Sequence, residues 1–298
     1  MLYTRTHFLM GTDITISIVS TKNCIDAIYE GFGIFASYEK EFSRFLESSD
    51  LCRLNAEKER EVSSRFIDVL QQAKDVYERS DGFFNPLVDV RRIGYSRDFS
   101  RGEFIQESGE ENKDFDHVQV FGDIVSLQKG QKLDLGGIVK GYTVDVVSGY
   151  LREKGYHDFI VNAGGDIYLS GNTVDGDTPI VAIDNPFHTD QVMATLVLKD
   201  MAISTSGTYK RQWDIGNKHY HHILDPKSEE NHMEIVSVSI IAPTCSLADM
   251  YATTCIAMGY ERAVQFLAQE RIDAVMILSD RTVYQTEGLG KYGIQLFT

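Results

Sequence analysis

The chain predicts an α+β fold with mainly antiparallel sheets, and three observations predict it. From about residue 118 onward, strand-like runs follow one another directly rather than alternating with helices, which disfavours a doubly wound parallel sheet. Near the start, Ile14, Ile16 and Ile18 alternate as a half-buried strand requires. Between these regions, Ile25, Ile28, Tyr29, Phe32 and Phe35 keep a helical period, as do Phe66, Val69, Leu70, Ala73, Val76 and Tyr77 after the capping pair Ser63-Ser64.

The elements follow in order. A strand over 13–19 opens the fold, and the two helices come next. The charged, apolar-poor stretch 100–116 reads as an exposed connection and the only internal boundary in one domain spanning 1–298. Residues 118–127 read as a hairpin turning at Gly122-Asp123, and 138–154 as a helix stopping near Gly155. Strands are expected at 158–162, 179–183, 192–198, 218–224 and 234–242, helices at 247–258 and 260–269, and strands at 273–279 and 282–286.

With 298 residues and 43% hydrophobic content, the chain can bury an ample core. Its net charge of -15 argues against a nucleic-acid partner, so a polyanionic ligand needs local help from Mg²⁺, placed lysines or arginines, or helix N-termini. Cys24, Cys52, Cys245 and Cys255 lack zinc or C-x-x-C spacing and read as reduced thiols. No leader, lipid-attachment cysteine or apolar run of about 18 residues is visible, so the expectation is a soluble, cytoplasmic chain without a transmembrane segment.

The most informative stretch is Ser246 to Thr254. Asp249 and Thr253 stand four residues apart in a helix, so their oxygens share one face and suit a hard cation. Ser246 with Asp249 equally reads as a capping box. In Lys132 to Thr143, a strand ends at Asp134 and Gly136-Gly137 precedes a helix carrying Lys140. That arrangement suits an anion or is a plain turn with a solvated lysine. Asn162-Ala163-Gly164-Gly165-Asp166 breaks a strand, where Asp166 reads as a turn residue before a catalyst. His219 and His221 share a strand face opposite His222 and offer a metal two imidazoles, but no third ligand stands at suitable spacing. Phe83 and Phe84 fit either stacking on a planar ring or core packing. Gly288-Leu289-Gly290-Lys291-Tyr292-Gly293 is rejected as a nucleotide fingerprint, because too little chain follows for the receiving helix.

The order of segments carries more than any one of them. Met10-Gly11-Thr12, Phe42-Ser43-Arg44-Phe45, Ser49-Asp50-Leu51 with Arg53-Leu54-Asn55, and Gly82-Phe83-Phe84-Asn85-Pro86 come first. Asp134 to Gly141, Asn162 to Asp166, Thr205-Ser206-Gly207, His222-Ile223-Leu224-Asp225-Pro226 and Ala248-Asp249 with Thr253 then follow. Taken together, the series from about residue 8 to 279 resembles the FAD:protein FMN transferases, or ApbE-type flavin transferases.

The resemblance implies a single large ApbE-like (T-fold-like) domain. It also implies a Mg²⁺-dependent enzyme that transfers FMN from FAD to a threonine or serine hydroxyl of an acceptor protein and releases AMP. By that resemblance Asp249, Thr253 and carbonyls of Gly137 and Ala252 hold the metal, while Met10, Phe45, Phe83, Phe84, Asn85, Asp134, Lys140 and His222 meet FAD. Mg²⁺ and Lys140 would neutralise the diphosphate beside Asp249, and His222 is the candidate base or proton relay for the incoming hydroxyl. Two other readings keep the same site: a Mg²⁺-dependent FAD pyrophosphatase giving FMN and AMP, and a non-catalytic flavin-binding protein. Three departures stand out: Phe45 and Asn85 replace a usual tyrosine and aspartate, and Lys227-Ser228-Glu229 replaces Arg-Thr-Gly. Glu229 therefore puts the turn geometry and acceptor docking in question.

Overall fold

The computed structural model describes residues 1–95, 106, 109, 111–188 and 190–297. The N-terminal hairpin, β1 (Leu2–Leu9) and β2 (Thr12–Val19), turns over Met10 and Gly11 at φ 53° and 73°, the two-residue geometry that matches strand twist. Next come α1 (Ile25–Phe42), α2 (Asp50–Glu57), β3 (Glu59–Glu61), α3 (Ser64–Arg79), β4 (Gln119–Phe121), β5 (Ile124–Ser126) and α4 (Val139–Glu153). A strand-rich stretch follows: β6 (Phe159–Ala163), β7 (Asp166–Ser170), β8 (Ile180–Asp184), β9 (Val192–Val197), β10 (Met201–Gly207), β11 (Gln212–Ile215), β12 (Lys218–His221) and β13 (Ile235–Ala242). The chain closes with α5 (Cys245–Met258), α6 (Tyr260–Glu270), β14 (Asp273–Leu278), β15 (Val283–Gln285) and β16 (Gln295–Leu296).

Eight strands form one sheet in the order β1-β2-β6-β7-β10-β13-β14-β15, with every neighbouring pair antiparallel. The expected antiparallel α+β architecture is therefore present. Alternation along the strands gives the sheet two buried faces. Ile14, Ile16, Ile18, Val161 and Ala202 pack under α1 and α4, and Ile240 and Ala242 pack against the cluster around α3, α5 and α6. Ile203, Ile241, Val275 and Ile277 point the other way, onto the three-stranded sheet of β8, β9 and β16.

Most expected elements lie within a few residues of their observed bounds. The differences have local causes. Strand β10 is rich in polar side chains and shows no apolar alternation, yet its Thr205 and Ser239 of β13 satisfy each other across the sheet at 2.8 Å. Helix α2, at eight residues, is too short to show a period. The expected strand over 218–224 stops at His221, because the carboxamide of Asn231 donates to the His221 carbonyl at 3.0 Å and to the Ile223 carbonyl at 2.6 Å, drawing the chain out of the ladder. Much of the expected connection at 100–116 lies outside the described residues. Among the described residues, no helix is long and apolar enough to cross a membrane.

Candidate active site

Helix α5 is buried nearly all round, as its apolar composition on every face requires. Its N-cap is Thr244, whose hydroxyl accepts from the Leu247 N–H at 3.4 Å. The first free donors, the N–H groups of Cys245 and Ser246, go to the Asp145 carboxylate at 2.7 and 2.8 Å. Ser246 is thus not the cap, and the capping-box reading of Asp249 fails. Asp249 sits in the second turn, where its Oδ2 accepts from Gly141 N–H at 3.3 Å and lies 3.7 Å from Lys140 Nζ.

One turn further, Thr253 faces the Gly136-Gly137 turn. A Cβ on Gly137 would stand 3.4 Å from Thr253 Oγ1 and 3.4 Å from the Phe84 ring. Thr254 folds its hydroxyl back onto the Met250 carbonyl at 2.7 Å, whereas the Thr253 hydroxyl has no partner among the described residues. Ala252 is fully buried in mid-helix, where its carbonyl belongs to the α5 ladder.

The Lys140 side chain is 26% exposed and its ammonium lies between two carboxylates. Its ammonium is bound to Asp166, and with Asp249 it forms a buried cluster of two carboxylates around one cation. Burial opposes the charge on Lys140, yet Asp166 and Asp249 hold its pKa above the ordinary lysine range. For Asp249, burial and then the charge of Asp166 push the carboxyl upward, only partly countered by Lys140. Asp166, expected to be a turn residue, instead opens β7 after the Gly164-Gly165 turn and is buried.

Asp134 joins two turns. Its N–H donates to the Pro86 carbonyl at 2.7 Å, its Oδ1 accepts from Gly136 N–H at 3.0 Å, and its other oxygen pairs with Arg44. The Arg44 guanidinium lies 4.8 Å from the Phe45 ring centroid and 4.5 Å from that of Tyr95, whose edge meets His222 at 6.3 Å. Phe45 is exposed, so its ring is free to stack on a ligand. Phe83 and Phe84 are core residues; Phe83 lies under Lys227 at 4.4 Å and Arg262 at 5.2 Å, and Phe84 alone borders the Gly137 turn. Met10 is placed by its turn, where its N–H donates to Glu39 at 2.7 Å.

His222 follows β12 directly. Its Nδ1 is buried with no partner among the described residues. Burial first, then the charges of Arg211, His221, Arg44 and Lys140, hold it well below the ordinary imidazole range, so the ring is neutral. The other two histidines are committed elsewhere: His219 pairs with Asp214 at 2.7 Å, and His221 donates from Nε2 to the His232 carbonyl at 3.0 Å. Their shared-metal reading falls away, and among the described residues no three His, Cys, Asp or Glu side chains converge on a point.

The departures from the family pattern have local answers. The Asn85 amide uses both ends, accepting from Leu87 N–H at 2.9 Å and donating to the Lys113 carbonyl at 2.9 Å. The turn after Pro226 closes normally: Asp225 accepts from Lys227 N–H at 2.7 Å, and Glu229 adopts φ 62° with its carboxylate 2.8 Å from Lys113 Nζ. Sequence reasoning missed Tyr95, Asp145 and Arg211 as site neighbours. Asp145 carried a signal, since an acid one turn after Gly141 on the helix facing α5 is placed to cap it; the other two carried none.

The arrangement is a buried acidic pair around one lysine, a threonine hydroxyl one turn on without a partner among the described residues, and a buried neutral histidine. The profile of the ApbE family matches residues 10–276. The chain belongs to the ApbE family. Among curated relatives, it is similar to the FAD:protein FMN transferase of Treponema pallidum (strain Nichols), 29% identical over 96% of this chain and 87% of that protein. It is likewise similar to that of Klebsiella pneumoniae (strain 342), 28% identical over 95% and 91%. The fold matches the ApbE protein of Thermotoga maritima MSB8 with a TM-score of 0.88 at 24% identity, covering 98% of this chain and 99% of that one. It also matches the flavin transferase ApbE of Vibrio cholerae, with a TM-score of 0.84 at 23% identity and the same coverage.

Proposed function

We propose that this ApbE-family chain transfers FMN from FAD to a hydroxyl of an acceptor protein, with Mg²⁺ at Asp249 and Thr253. The observation that carries this is the Asp249–Thr253 pair beside the Gly136-Gly137 turn. One buried carboxylate with an uncommitted hydroxyl is a sparse oxygen set, which suits Mg²⁺ completing its shell with water and substrate phosphate. The charge count agrees, because Lys140 neutralises only one of Asp166 and Asp249. Gly137 and Ala252 complete the proposed metal neighbourhood through backbone oxygens. When bound, Mg²⁺ supplies charge neutralisation on the diphosphate.

The chain's own residues do the rest. Phe45 offers a stacking face, Asp134 and Asn85 hold the two turns together, and Phe84 packs beneath Gly137. His222, neutral and with an unpartnered nitrogen, takes the proton of a threonine or serine hydroxyl as its oxygen attacks the FMN phosphorus. The new P–O bond replaces the anhydride P–O bond, and AMP leaves with the electron pair.

The test is incubation with FAD, Mg²⁺ and an acceptor peptide of the form Asp-Gly-x-Thr/Ser-Gly-Ala-Thr, read by peptide mass and nucleotide analysis. Transfer gives an FMN adduct and AMP in equal amounts, and chelation of Mg²⁺ abolishes it. Asp249→Ala should lose at least about 100-fold in rate, given what metal-site and electrostatic groups contribute. AMP and free FMN without adduct would make the protein a pyrophosphatase; bound FAD with neither product would make it a flavin-binding protein. Unaltered activity in Asp249→Ala would remove the metal assignment.

A further inference from the structure

We propose that Arg211, which lies outside every recognised motif, takes the diphosphate of the flavin nucleotide near His222. The inference rests on the FMN-transfer reading above and adds a substrate contact to it. Strands β11 and β12 pair Gln212 with His221, Trp213 with Tyr220 and Asp214 with His219. Arg211 directly precedes Gln212 and His222 directly follows His221, so the two flank the pair that ends this ladder. Within the ladder Trp213 and Tyr220 pair, and their rings stack at 6.4 Å. The Tyr95 ring lies 5.5 Å from that of Trp213 and 6.3 Å from that of His222. Arg211 is near enough for its charge to oppose protonation of both His222 and Lys140.

Charge accounting then singles it out. Three cations surround His222: Arg44, Lys140 and Arg211. Arg44 is committed to Asp134, and Lys140 to Asp166 and Asp249. Arg211 has no carboxylate partner among the described residues, although it is only half-exposed. In a chain of net charge -15, a partly buried arginine with no acid paired to it among the described residues is available to an incoming anion. Its planar fork suits two oxygens of a diphosphate, which the committed Lys140 cannot serve without giving up an aspartate. On this reading Arg211 meets the diphosphate oxygens while Lys140 holds the two aspartates in place.

The test is a fluorescence titration of the parent, Arg211→Gln and Arg211→Lys with FAD, ADP and riboflavin in the presence of Mg²⁺, alongside FMN-transfer kinetics and thermal unfolding. Loss of a charge-assisted contact is worth about 1.5–3 kcal/mol, so Arg211→Gln should weaken FAD and ADP by about 10- to 100-fold and raise the KM for FAD. Riboflavin, which has no phosphate, should bind within about twofold of the parent, and Arg211→Lys should fall between, since it keeps the charge without the fork. Unchanged FAD and ADP binding in Arg211→Gln would overturn the assignment while leaving FMN transfer by the parent intact. Riboflavin weakened as much as FAD would overturn it too, as a packing effect. A parent that binds no FAD at all would overturn the FMN-transfer reading and this inference with it.

Discussion

Glu229 and Asn85 show what a departure from a family pattern means at the scale of one residue. Asn85 is a better fit than aspartate here, since its NH₂ donates to the Lys113 carbonyl, which a carboxylate would only repel. Glu229 is the opposite case. It holds a left-handed φ of 62° that costs a side-chain-bearing residue about 1–2 kcal/mol, against an exposed ion pair with Lys113 worth about 0–1 kcal/mol. Glu229→Gly should therefore stabilise the fold by up to about 1 kcal/mol, seen as a higher urea midpoint at unchanged slope. A lower midpoint would mean that the bridge outweighs the strain. At this scale the sequence was legible in the spacing of Asp249 and Thr253, which α5 does hold one turn apart on one helix. It was illegible for Arg211 and Tyr95, whose roles come from partners brought near only by the fold.

At the scale of elements, the site depends on how closely α4 and α5 approach. A Cβ on Gly141 would run into the Cys245 carbonyl and stand 2.9 Å from Asp249 Cβ, so only glycine lets the two helices touch there. Gly141→Ala should cost about 1–3 kcal/mol by overpacking. It should also lower transfer activity in a variant that still folds, because widening the gap breaks the Gly141 N–H contact to Asp249; circular dichroism melting with a rate assay at 20 °C would show both. Full activity would mean the helices separate without moving the metal pair. The helices themselves were readable, from a 3.6-residue period in α1 and α3 and from a glycine stop in α4. The cap of α5 was misread, because the residue that satisfies its donors, Asp145, comes from another helix about 100 positions away.

Across the whole molecule, acid stability should report on the loop that presents His222. His221 is fully buried with Nε2 donating to the His232 carbonyl and Nδ1 accepting from Ile223 N–H at 3.3 Å, an arrangement with no place for a second proton. Burial, outweighing the bond to His232, lowers its pKa to about 4. The unfolded chain therefore takes up a proton near pH 6.5 that the folded chain refuses until about pH 4, and stability falls through that window by about 3 kcal/mol before levelling off. Urea titrations between pH 7 and 4 should show that loss in the parent and a shallower slope in His221→Gln; equal slopes would place the acid sensitivity elsewhere. The antiparallel class of the fold was legible from consecutive strands, while the pairing of β2 with β6, some 140 residues apart, leaves no local trace.

Helix α5 emerges during synthesis only after some 240 residues, yet it is wedged between α3, α4, β10 and β13. The earlier elements thus wait with an apolar seat open, and the long-range contacts that fill it make for slow closure. Because Asp249 and Thr253 ride on that wedge, a nascent chain that ends before α5 lacks both of these oxygen side chains. Under the proposed metal assignment, capture of the ion would wait for the docking of this late helix.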